Sequence, residues 1–116
     1  MNVKEFYDSI NENYQNILGR LQNEDLIKSF LKMLLNDDTF SNLENAIIKK
    51  KYKEMKNYSH AFKGVCLNFD FLKIVEIVIE LERVINDKNY KLVRNVFAKL
   101  KEEYINITDK IKRCDL

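Results

Sequence analysis

A chain of 116 residues, 46% of them hydrophobic and 33% charged, is long enough to bury one core and too apolar to stay disordered. Its net charge of +2 gives no reason to expect nucleic acid or a membrane surface as partner. No stretch is apolar for long enough to cross a bilayer or to act as a secretory signal, so a cytoplasmic protein is expected.

Proline is absent and glycine occurs twice, and apolar residues recur in steps of three and four, which predicts an all-α chain. A first short helix is expected over about 2–9, with Val3, Phe6, Tyr7 and Ile10 on one side, and a second over about 12–21. Asn23 can cap a third helix through Leu35, whose stripe is Leu26, Ile27, Phe30, Leu31 and Leu34. After the break at Asn36-Asp37-Asp38-Thr39, with its new cap, Phe40, Leu43, Ile47 and Ile48 carry a fourth helix to about Lys50. A fifth runs over about 51–68. Asp70 is placed to cap a sixth over about 71–86, marked by Leu72, Val75, Val78, Ile79, Leu81 and Ile85. Asn86-Asp87-Lys88-Asn89 then turns into a last helix over about 89–112, which carries Leu92, Val93, Val96, Phe97, Leu100, Tyr104, Ile107 and Ile111. Short connections between amphipathic helices favour an antiparallel up-and-down four-helix bundle, over about 23–113, preceded by short N-terminal helices in a single domain over 1–116. Cys66 falls on the core side of its helix and Cys114 in the tail, which predicts two reduced thiols.

The only histidine, His60, lies on the polar side of the fifth helix. At about 100° per residue, Met55, Tyr58, Phe62, Val65, Cys66 and Phe69 fall within roughly 60° of the direction opposite to it. Lys53, Lys56, Asn57, Lys63, Gly64 and Leu67 fall within roughly 60° of the histidine itself. A solvent-facing imidazole amid lysines is suited to nucleophilic chemistry near neutral pH. Lys63 and Lys56 disfavour the imidazolium, while Gly64 opens the surface one turn on. One histidine and two distant cysteines do not make a usual zinc site. No glycine-rich loop is present to cradle a nucleotide, so the chain is not expected to be a kinase by itself.

The run His60-Ala61-Phe62-Lys63-Gly64, followed by Asn68-Phe69 and by Leu81-Glu82 one helix later, resembles the histidine phosphotransfer (HPt) domain of bacterial phosphorelays. That family is marked by His-x-Leu-Lys-Gly, a hairpin turn and a Leu-Glu pair. Two positions depart from its pattern: Asp70 stands where glycine is usual, and Leu67 where a small residue is usual. The resemblance implies that Nε2 of His60 takes a phosphoryl group from a receiver-domain aspartate and passes it to another receiver, with Lys63 steadying it. It implies a docking face made of Gly64, Lys56, Lys53, Asn57 and Leu67. Glu82 resembles the acidic residue that orients the histidine in chemotaxis-kinase phosphotransfer domains, and its position equally suits a surface salt bridge. The implied partners are response-regulator receiver domains and a hybrid sensor histidine kinase, met by a monomeric carrier that needs no cofactor, the Mg²⁺ being the receiver's. The alternative is a non-phosphorylated helical adaptor that uses the same face for docking.

Overall fold

The computed structural model describes residues 1–116, which form helices joined by short turns, with a few residues at each end outside them. Seven helices follow in order: α1 (Val3–Ser9), α2 (Tyr14–Leu21), α3 (Glu24–Leu34), α4 (Thr39–Ile48), α5 (Tyr52–Asn68), α6 (Leu72–Asn86) and α7 (Tyr90–Lys112). They form two units, Met1–Asp37 with Tyr104–Leu116, and Asp38–Glu103. The apolar stripe of α3 places it in the bundle by pattern alone, yet α3 packs with α1 and α2.

In the first unit asparagines start the helices. Asn2 caps α1 in a reciprocal capping box with Glu5, Asn13 caps α2, and Asn23 accepts from the backbone of Leu26 at 3.2 Å. Burial pushes the Tyr14 hydroxyl pKa up, helped by its hydrogen bond to Glu24. Cys114 is half-buried, which raises its thiol pKa, and donates to the Lys110 carbonyl. A thiol so held is a poor nucleophile. Neither cysteine is in a disulfide, and Cys66 is buried in the second unit.

The second unit is an up-and-down bundle of α4, α5, α6 and the first part of α7. Phe40 near the start of α4 meets Phe62 of α5 at 5.3 Å between ring centroids and stacks on Phe97 of α7, also at 5.3 Å. At the opposite end of α4 the Tyr90 hydroxyl donates to the Ile47 carbonyl. Leu43, Met55, Phe62, Ile74, Leu81 and Leu100 are fully or almost fully buried between the helices.

The connections repeat one device. After α1, α4, α5 and α6 a single residue takes left-handed backbone angles: Asn11, Lys50, Asp70 and Lys88, with φ between 53° and 56°. Each is held by two backbone hydrogen bonds of the Schellman type; after α5 these run from Asp70 N–H to Leu67 O and from Phe71 N–H to Cys66 O. Asp70 therefore ends α5 and does not cap α6, whose N-cap is Phe71 with no side-chain cap bond. The backbone requirement at this position favours glycine, and a short polar residue is among the substitutes that tolerate it. Asp38 likewise precedes α4 without a side-chain cap bond, whereas Asn89 does cap α7.

Lysine in the left-handed region costs more than aspartate or asparagine does. Lys88→Gly is accordingly expected to stabilise the protein by about 0.5–1 kcal/mol, the strain relieved minus the added flexibility of the unfolded chain. Lys50→Gly gains less, because Lys50 also lies over the Tyr90 ring at 5.0 Å. Urea denaturation of the two variants checks both the sign and the order.

Several stripe residues face outward. Leu26, Ile48, Leu72, Ile79 and Leu92 are exposed. On α6 the cause is rotational. With Val78 as zero, the buried side chains run from Val84 at about −120°, through Ile77 and Ile74, to Val75 at about +60°. Ile79 and Leu72, at about +100° and +120°, lie just past that arc.

Candidate functional site

Helix α5 sets its histidine by burying the other side, and the buried arc is turned about 40° from the one opposite His60. Met55, Phe62, Cys66 and Phe69 are buried, as expected. Tyr58 and Val65 lie half-buried at one edge, while Ser59 at the other edge is completely buried. The Ser59 hydroxyl donates to the Lys56 carbonyl at 3.1 Å, which satisfies it inside the helix.

The same rotation distributes the polar face. His60 stands out, with 76% of its side chain exposed. Lys53, Lys56, Asn57, Gly64 and Leu67 are all exposed with it. Lys63, on the edge turned toward α6, is only 25% exposed and pairs with Glu82 at 2.7 Å from Nζ to Oε1. The other carboxylate oxygen, Oε2, lies 3.7 Å from Nδ1 of His60. That separation is an electrostatic approach rather than a hydrogen bond. Both readings of Glu82 thus have a place in one geometry: it is in an ion pair, and it stands at the histidine's Nδ1.

Lys63 does not act on His60 as an isolated cation, since the Glu82 carboxylate sits against it and offsets its field. The arrangement is a carboxylate with a cation on one oxygen and an imidazole near the other, beside an open surface. Gly64 has the ordinary backbone angles of a helix, and a Cβ built there meets nothing within 4 Å. Nothing inside the fold requires glycine at that position. Between α5 and α6 a pocket of about 160 Å³ is lined by Lys56, Ser59, Glu82, Ile85 and Asn86.

Ile79 and Leu72, which the sequence pattern put on the apolar stripe of α6, are exposed instead. They lie on the edge of α6 that also carries Glu82, and Leu67 of α5 is a third exposed apolar side chain in this unit. The available signal was that α6 is apolar over more than one packing face, so that some of its apolar side chains remain outside.

No helix is long and apolar enough to cross a membrane. Neither the curated proteins nor the solved structures compared with the chain give a match. Among protein-family models, the one described as the Hpt domain matches residues 3–110. Hpt domains serve histidine phosphotransfer in phosphorelays, as partners of receiver domains. With the match running over nearly its whole length and seven helices in place, this chain belongs to the Hpt domain family.

Proposed function

We propose that the chain is a phosphoryl carrier whose nucleophile is His60, loaded by the phosphoaspartate of one receiver domain and unloaded by the aspartate of another. The observation that carries the proposal is the placement of the only histidine: 76% exposed on the polar face of α5, with the Glu82 carboxylate at Nδ1. That leaves Nε2 as the nitrogen for transfer. Its lone pair attacks phosphorus, the N–P bond forms, and the P–O bond to the receiver's aspartyl oxygen breaks, its electron pair leaving on the restored carboxylate. The ring then carries the phosphoryl group on Nε2 and a proton on Nδ1, and the Glu82 carboxylate faces that positive charge.

Lys63 turns from Glu82 toward the phosphoryl oxygens as negative charge arrives, and so steadies the loaded state. The Mg²⁺ that neutralises charge during transfer is the receiver's, and this chain supplies the positioned nucleophile. Residues 1–116 act as one phosphotransfer domain, a reading supported by a family match that extends through both units.

Incubation with a receiver phosphorylated by acetyl phosphate tests the proposal. Phosphate that is acid-labile and base-stable is expected on the chain; receiver binding without any such phosphate would mean that the protein is a docking adaptor. Two surface variants divide docking from chemistry. Gly64→Gln puts a long side chain where the partner backbone approaches, so receiver affinity is expected to fall about tenfold or more while helicity holds or rises, glycine being the poorer helix former. Lys63→Ala is expected to slow single-turnover transfer more than it weakens binding, because it removes charge from the developing phosphoryl group. Normal affinity and a normal rate in Gly64→Gln would put the docking face elsewhere.

A further inference from the structure

The net charge of +2 hides an uneven distribution. At one end of the Asp38–Glu103 unit, α4 turns into α5 and α6 turns into α7. The first turn brings Lys49, Lys50, Lys51 and Lys53, and the second brings Lys88, Lys91 and Arg94, all of them exposed. Over residues 47–54 and 87–94 these seven cations face two carboxylates, Glu54 and Asp87, a net of +5. The rest of the chain is therefore net negative. Each of the two carboxylates is itself near a cation, Glu54 near Lys51 and Asp87 near Arg83, both at 3.8 Å.

Tyrosines join the two turns. The Tyr52 hydroxyl donates to the Lys88 carbonyl at 3.3 Å and the Tyr90 hydroxyl to the Ile47 carbonyl at 2.8 Å, while Lys50 and Arg94 both approach the Tyr90 ring. Ile48, 67% exposed, and Leu92 are apolar members of the same end. Concentrating this many like charges opposes folding, and a field of one sign draws in a partner surface of the opposite sign.

Resting on the phosphotransfer reading of His60, we infer that this end of the unit is a cationic docking rim for the acidic face of the receiver. A receiver that holds Mg²⁺ beside a phosphorylatable aspartate must gather carboxylates there, because Mg²⁺ takes oxygen ligands, and phosphorylation adds further negative charge. The rim is within reach of a partner seated on His60. Tyr52 precedes His60 by eight residues on α5, about 12 Å of helix at 1.5 Å per residue. A standard interface of about 800 Å² per partner is a disc of roughly 16 Å radius. Lys53 and Lys56 lead along the same helix from the rim to the histidine.

The test is single-turnover transfer from an acetyl-phosphate-loaded receiver of the same organism, at increasing receiver concentration and at two salt concentrations. The triple variant Lys49→Glu, Lys88→Glu, Lys91→Glu is compared with the unaltered protein, and the corresponding triple glutamine variant serves if the first has a lowered melting temperature. At about 0.05 M salt the half-saturating receiver concentration is expected to rise about tenfold or more, with the maximal transfer rate changed less than about twofold. At about 0.5 M salt, where the Debye length falls to roughly 4 Å, the difference is expected to shrink to under about twofold. An unchanged half-saturation at low salt overturns the inference. So does binding of phosphatidylserine vesicles or duplex DNA by the unaltered protein that the variant loses while receiver half-saturation stays the same. Should no phosphoryl group reach the chain at all, the phosphotransfer reading fails by itself, and direct titration with unphosphorylated receiver still decides the rim.

Discussion

His60→Gln is expected to abolish phosphoryl labelling and to leave the fold alone. No second histidine exists to take over, so the loss is complete rather than graded. The side chain is 76% exposed, and its closest charged neighbour, Glu82, keeps its 2.7 Å pair with Lys63. Solvent-facing substitutions of this kind usually change stability by less than about 0.5 kcal/mol. Melting temperature and helicity are therefore expected to stay near those of the unaltered protein while acid-labile phosphate disappears. Phosphate that persists in the variant at the same stoichiometry would show that the nucleophile is another residue.

Phe62→Ala is expected to have the largest effect on stability, a loss of about 3–5 kcal/mol, the range for truncating a buried aromatic. Phe62 is fully buried two residues after the histidine, and through Phe40 its contact continues to Phe97, so one ring touches a chain of packing across α5, α4 and α7. Against a total of about 5–15 kcal/mol for a domain, the loss leaves a protein that unfolds at a much lower urea concentration. Phe62→Leu fills more of the space and is expected to lose less. A cost below roughly 1 kcal/mol for the alanine variant would contradict the burial of this face.

Much of the architecture was legible because local signals agreed with the packing. Asn23 and Asn89 read as helix starts and act as such. What the sequence did not disclose has specific causes. A left-handed turn residue is usually announced by glycine, and here Asn11, Lys50, Asp70 and Lys88 hold those positions, so Asp70 looked like a cap. The apolar residues of α6 continue past one edge of its buried arc, so pattern alone could not tell Ile79 and Leu72 from Ile77 and Val84. At the site, the exposed face of His60 followed from periodicity. The meeting of Lys63 with Glu82 is long-range and depends on the rotation of two helices against each other, which no spacing within one helix encodes.

The repeated turn has a kinetic consequence. In the unit that carries His60, three connections of three residues each join four helices, and every one is closed by hydrogen bonds between residues five or fewer apart. Sequence neighbours pair first at little cost in loop-closure entropy, so contact order is low, and helical topologies of that kind fold on microsecond to millisecond timescales. With no proline in the chain, the slow prolyl isomerisation that delays refolding by tens of seconds has no bond on which to act. The surface around His60 is thus assembled almost as soon as its helices exist.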